Sequence, residues 1–333
     1  MNFKKIPALL ALSAILYTSC NNKINILAPY KDVSVVYGLM DQNDAIHYIR
    51  INKAYEGLGN AYTMAQVYDS IYYPVSSITA VLRDSNTSTS AVTSVTLDTT
   101  TTVPLGPGTF SYPKQLLYYT KEKLNPNDYY SLVVTNTRTG KKLTGSTSLL
   151  SDISFNSPSN FTTAKTFYID FNTQYPPTMT WTTTPNTRIY QLTLRFYYTE
   201  TQNGDTALKS FDEVFAPQTS PILTGGVQLS QAVTGQGIIS DLVASIPVNP
   251  FVKRYIDSVG VIFSSGSDDL NTYVTLSQPS LTINQDPPSF SDVTNGIGLF
   301  TSRHIQTLNK LISGELVDSL TSEPRLLPLN FQI

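Results

Sequence analysis

The chain is poor in cysteine, histidine and charge. It has one cysteine, Cys20, and two histidines, His47 and His304, in 333 residues. A lone thiol excludes a disulfide framework and a thiolate metal site, and leaves no cysteine nucleophile beyond that position. The two histidines stand far apart in sequence and make a poor zinc pair. No Gly-x-Ser-x-Gly elbow or comparable serine setting accompanies either, so no catalytic residue, metal ligand or cofactor is expected. Charged residues are 14% of the chain, against roughly 25% in average soluble proteins. With a net charge of −2 there is no long-range field to gather nucleic acid, which excludes that class of partner. No apolar run approaches the roughly 20 residues that a membrane-spanning helix needs.

Thr, Ser, Asn and 21 Tyr take the place of the missing charges. β-Branched and aromatic side chains suit a pleated, half-buried surface, so the composition leans to strand. Short strand-like runs succeed one another, separated by Gly, Pro, Asn and Asp. The first block holds Val33–Tyr37, Ala45–Ile51, Ser77–Leu82, Gln115–Tyr119 and Tyr130–Val134. Between its third and fourth strands, Ser85 to Thr102 is rich in Ser and Thr and reads as an exposed loop or ragged hairpin. In the second block Tyr190, Leu192, Leu194, Phe196 and Tyr198 alternate with more polar residues, which places them on one face of a long strand. The only tryptophan, Trp181, is expected to point inward from a neighbouring strand, and Asp257–Phe263 forms another. A helix is predicted at Ser240–Ile246, another capped by Ser267-Asp-Asp269 and running through Gln278, and a third at His304–Ile312.

Lys4 and Lys5, then the apolar run Ile6–Leu16, then small residues leading to Cys20, have the layout of an export signal. Here the sequence resembles a bacterial lipoprotein signal. The resemblance implies cleavage before Cys20, lipidation of that residue, and anchoring in the outer membrane. A plain secretory signal with an incidental cysteine is the competing reading. Asn21 and Asn22 follow without the acidic run that sends related lipoproteins outside, which leaves the periplasmic or extracellular face open. The expected organisation is a signal peptide at 1–19, a tether at 20–30, an N-terminal β-sandwich domain at 31–150, and a C-terminal fibronectin type III-like β domain with helical and loop extension at 151–333. The fold class is mainly β: two Ig- or fibronectin III-like sandwiches, with a few short helices in the C-terminal half.

Paired carboxylates at Asp41/Asp44 and Asp268/Asp269 sit where a turn and a helix cap place acids in any case. Asp41–Asp44 lacks the spacing of a calcium loop. The tripeptides beginning at Asp69, Asp98, Asp205, Asp257 and Asp318 look like the O-glycosylation acceptor of exported Bacteroidota proteins. They make Ser70, Thr99, Thr206 and Ser319 candidate modification sites, with Ser258 set aside because it enters a predicted strand. Tyr72, Tyr73, Tyr118, Tyr119, Tyr129, Tyr197 and Tyr198 are candidates for a flat amphipathic binding surface, one ring of each adjacent pair being expected in the core.

Three short motifs carry a wider resemblance: Val35-Val-Tyr-Gly38, Leu124-Asn-Pro-Asn-Asp-Tyr-Tyr130, and Asn295 followed by Gly296, Gly298 and Phe300. Together with the lipoprotein start they resemble a family of Bacteroidota lipoproteins often encoded beside TonB-dependent receptors. The resemblance implies a non-catalytic binding or accessory subunit, with a membrane receptor or a glycan as partner. An adhesin or structural envelope component, and an exported hydrolase, are the alternatives. Gly296 and Gly298 are expected to permit a tight backbone turn.

Overall fold

A computed structural model describes residues 32–54, 60–158, 161, 163–168, 178–278 and 289–333. Cys20, the signal and the tether lie outside the described residues. The chain is mainly β and builds two sandwiches that share one strand.

In the first sandwich, β1 (Ser34–Met40), β2 (His47–Lys53), β6 (Leu117–Thr120) and β5 (Asp98–Thr100) form one sheet in that order. The facing sheet runs β4 (Val92–Thr96), β3 (Ile78–Asn86), β7 (Asp128–Asn136), β8 (Lys142–Ser148). Alternation dictates the packing. Val36, Met40, Ile49 and Ile51 point inward from one sheet to meet Ala80, Leu82, Leu132 and Val134 from the other. The Ser/Thr-rich stretch is the ragged hairpin of β3 and β4, continuing into β5.

The second sandwich sets β13 (Asp205–Val214), β12 (Thr187–Gln202) and β16 (Lys253–Ser267) against β15 (Gln228–Ala232), β11 (Thr178–Thr182) and β9 (Ser154–Ser157). The five alternating residues of β12 are all buried, as their period requires. Trp181 is also buried, but from the opposing sheet, where it packs on Tyr190 and Phe263. Short strands β10 (Thr166–Phe167), β14 (Gln218–Thr219) and β18 (Phe331–Gln332) trim the edges.

The joining strand is β17 (Ile297–Ile312). Its first part pairs parallel to β1, from Ile297 opposite Val35 to Ser302 opposite Met40. Its second part pairs antiparallel to β16. Val293 and Phe300 therefore belong to the first core, although most residues after 150 pack in the second. A division into two consecutive stretches at residue 150 is crossed here: the first sandwich is completed by a late segment.

Two of the short sequence motifs meet at this crossing. The Phe300 ring fills the space that glycine leaves at Gly38 and Gly145, where a Cβ would approach the Phe300 side chain to 3.0 and 2.8 Å. Gly298 has φ +127°, and a Cβ there would collide with the carbonyl of Val36. Glycine serves close approach of two backbones here, not anion binding.

Helices are short. The first two, α1 (Ala61–Ala65) and α2 (Tyr68–Ile71), lie in the N-terminal half, where sequence had placed none. α3 (Gly235–Ser245) and α4 (Asp268–Leu276) fall where helices were predicted. The Ser267 side chain caps α4 by accepting from Leu270 N. α5 (Gly314–Ser322) follows β17. The helix predicted at His304–Ile312 is corrected to strand. His304, Gln306, Leu308, Lys310 and Ile312 form the more buried, period-2 face, but polar side chains among them hid the alternation, and Ile305, Leu308 and Ile312 imitated helical spacing. Lys310 finds its partners in the carbonyls of Phe161 and Ala164.

Candidate functional site

Consecutive residues of a strand point to opposite faces, and on β17 this puts two distinct sites back to back. His304 faces inward at the junction of the sandwiches. Its Nδ1 lies 3.1 Å from Asp41 Oδ1 and its Nε2 2.6 Å from Asp152 Oδ1. Asp41 also accepts from Asn43 N at 3.0 Å and Ile305 N at 3.0 Å, which locks the β1–β2 turn onto β17. The connector between the sandwiches is pinned alongside. Ser302 donates to Ser148 O at 2.6 Å, and Ile153 N donates to Gln306 Oε1 at 3.0 Å.

Burial pulls His304 toward the neutral form, but its bonds to the two carboxylates outweigh this and hold it above its ordinary value. Burial likewise pushes Asp41 up, and the bonds from His304, Asn43 and Ile305 more than reverse it. This is a catalytic-looking constellation without catalytic geometry. Both imidazole nitrogens are occupied and the side chain is 2% exposed, so no nitrogen is free to take a substrate proton. The Asp41 carboxylate, fully engaged, leaves little for a calcium ion.

The other histidine, His47, is fully buried on β2; burial lowers it and outweighs the raising effect of the nearby Asp44 and the Glu122 backbone. The remaining perturbed carboxyls fall in separate places, each raised mainly by burial beside another acid: Asp84 near Asp128, Glu213 near Asp241, and Asp292 near Asp269. Burial, with Asp241 beside it, raises Glu213 to about 7. Burial raises Asp292 to about 6 despite its acceptance of Phe300 N. Asp268 is held by Arg188 at 2.6 Å, which fixes the first turn of α4 to β12. Among the described residues no group of three or more His, Cys, Asp or Glu is placed to hold a metal ion.

The opposite face forms an open groove of about 440 Å³ between the outer surface of the first sheet and α4. Tyr37 and Leu39 of β1, and Tyr48 and Arg50 of β2, point outward into it because their neighbours Val36, Gly38, Ile49 and Ile51 point in. From above, α4 contributes Leu270, Tyr273 and Val274. Tyr37 and Tyr273 meet edge to face with centroids 6.2 Å apart. Burial, then the hydroxyl of Tyr273, raises the Tyr37 phenol, which stays protonated. Tyr48 leans on Tyr119 at 6.1 Å. Tyr37 is 41% and Tyr48 37% exposed, large for aromatic rings on a rigid strand.

Two guanidinium groups flank the rings. Arg50 donates to Gln115 Oε1 at 2.8 Å, and Arg303 reaches Asp44 Oδ2 at 3.4 Å. Asp44 is the one carboxylate in the lining, and it faces an arginine. Aromatic faces beside guanidinium donors can stack and hydrogen-bond a planar or sugar-like surface; the groove presents no converging acid and base.

The structure sorts the remaining candidates. Tyr118 and Tyr198 are buried while Tyr119, Tyr129 and Tyr197 face outward, as alternation predicts. Tyr72 and Tyr73 are both buried, a correction to the expected one-in, one-out pair: they follow α2 and close the first core instead of lying in a strand. Sequence reading did not select Tyr37, Tyr48 or Tyr273, which line the groove. For the first two, period-2 position on β1 and β2 was the available signal; nothing local brings α4 over them.

Thr206 is exposed next to the Asn203–Gly204 turn of the β12–β13 hairpin. Thr99 is half-buried in the edge strand β5, and Ser70 half-buried in α2. Ser319 is only 3% exposed and donates to Glu315 O within α5, so it is corrected to a helix-packing serine, unreachable for a glycan in the folded chain.

Comparison with family models and with curated proteins gives no match for this chain.

Proposed function

We propose that the chain is a cell-envelope lipoprotein, anchored in the outer membrane through Cys20, that works as a non-catalytic binding or accessory subunit of a TonB-dependent receptor or surface complex. The short motifs and the lipoprotein-like start support the setting, and a β-sandwich as the second module fits a contact role. One observation carries the binding role: the groove under α4 exposes tyrosine rings and guanidinium groups on rigid strands. Rings so held lose little conformational freedom when covered, which favours recognition by contact.

Affinity capture from detergent-solubilised outer membrane tests the reading. The native chain should retain a TonB-dependent receptor, identified by mass spectrometry. Tyr37→Ala with Tyr48→Ala should reduce the yield by about tenfold or more, as loss of central aromatic anchors does. Failure to retain a receptor, with glycan cleavage by the purified protein, would overturn it.

A further inference from the structure

The end of the first sandwich where the described chain begins carries a charge pattern of its own. Asp32 is fastened there by three bonds: its Oδ1 accepts from Tyr73 OH at 2.7 Å, its Oδ2 from Asn136 Nδ2 at 2.8 Å, and its carbonyl from Lys141 Nζ at 3.0 Å. The β7–β8 turn, with Gly140 at φ +70°, is therefore the chain's immediate neighbour at this point. Arg138, Lys141 and Lys142 are exposed on or beside that turn, and Lys53 sits opposite Ser34 at the same end of the sheet. An open cleft of about 600 Å³ lies between Asp32, Lys141, Lys142 and the segment Asn295–Ile297. Apolar Ile297, 48% exposed, lines the same cleft. The chain as a whole is net negative at −2, so this basic end runs against the average.

We propose that this end is the membrane-facing surface, seated on the phosphate groups of an anionic phospholipid leaflet. The inference rests on the reading of Cys20 as the anchored residue. Cys20 precedes Asp32 by 12 residues, a span of at most roughly 40 Å when fully extended. The basic end is thus the part of the fold that follows the anchor most closely in the chain, and cations within a Debye length of anionic lipid are attracted to it. β1 and β17 run parallel, both starting at this end. β17 continues for 16 residues, or roughly 50 Å at the rise of an extended strand, and so carries the second sandwich away from the bilayer. The groove takes Tyr37 and Leu39 from the later residues of β1 and stays open above the lipid.

Two measurements test this. The acylated protein is placed on vesicles of phosphatidylcholine alone or mixed with phosphatidylglycerol, and amide hydrogen exchange is followed. Phosphatidylglycerol should slow exchange at Thr137–Lys142 and Thr294–Ile297, leave Asn203–Gly204 unchanged, and lose its effect in high salt. Equal exchange on the two lipids, or protection at Asn203–Gly204 instead, overturns the orientation. Separately, the mature chain carrying Cys20→Ser is sedimented with the same vesicles. It should partition to phosphatidylglycerol, and Lys141→Gln with Lys142→Gln should weaken that about tenfold or more with an unchanged melting temperature. A double variant that binds like its parent overturns the surface. Mass spectrometry of cell-derived protein with unmodified Cys20 would remove the anchor reading alone, because sedimentation judges the lysines without it.

Discussion

Arg303 and His304 are neighbours on one strand, yet they serve opposite ends of protein energetics. His304 faces the junction, where it and Asp41 are buried and both its nitrogens are satisfied, Asp152 meeting it from the solvent side. Arg303 faces the groove, where its partner Asp44 is exposed and the surrounding rings remain accessible. The junction turns polar contacts into stability and leaves nothing over for a ligand. The groove leaves aromatic area uncovered and contributes little to folding. The difference arises from the strand's two-residue period acting on a strand shared by two sandwiches.

Substitutions should separate these two faces. The largest effect is expected under the crossing itself. Phe300→Ala empties the space between Gly38 and Gly145 and should cost about 3–5 kcal/mol, read as a lower denaturant midpoint. A cost near zero would show that the shared strand does not hold the first core. Next, His304→Gln leaves Asp41 buried without its cation and should cost about 3 kcal/mol.

This second effect depends on pH with a definite sign. His304 is raised in the folded state, so its contribution is fully present below the ordinary histidine value of about 6.5 and is lost as pH rises through the folded value. Asp41, depressed, contributes above the ordinary carboxylate range and loses that as pH falls through its own folded value. Melting temperature should therefore drop on the alkaline side in the native chain and change less there in His304→Gln. A parallel pH profile in both proteins would remove the ion-pair account.

At the groove the order reverses. Tyr48→Ala should shift stability by less than about 1 kcal/mol because the ring is already partly exposed, while weakening capture of the partner. A large loss of stability with unchanged capture would assign the rings to packing. The smallest effect is expected at Thr206. Thr206→Ala on the exposed hairpin should leave melting unchanged and remove one glycan mass from protein made in a Bacteroidota host. Ser319→Ala should remove none.

Strand existence was largely legible in sequence because alternation is a local signal. Tyr190 to Tyr198 shows it cleanly, and each residue lies on the predicted face. His304 to Ile312 was misread because the inward positions hold His, Gln and Lys, whose burial is acceptable only when carboxylates or carbonyls from remote segments meet them. Such partners, Asp41, Asp152 and Phe161 among them, carry no local mark. Ser319 failed as a modification site for a related reason: a tripeptide match says nothing of which helix face packs inward. The groove was half legible, since Tyr37 and Tyr48 fall on outward positions, but α4 arrives from more than two hundred residues away.

By itself, then, the amino-acid order determined that this chain is built of strands, which residues of most strands turn inward, and where α4 begins. Only the tertiary structure decided that β17 belongs to both sandwiches, that its alternate faces become a hydrogen-bonded ionic junction and an open aromatic groove, and that basic residues gather where the chain enters the fold. The physical reason is one of range. Side-chain periodicity is imposed by neighbouring bonds, whereas the pairing of β17 with β1 is chosen by packing: Gly298 against Val36 and Phe300 between Gly38 and Gly145 fit together only after both sheets have formed.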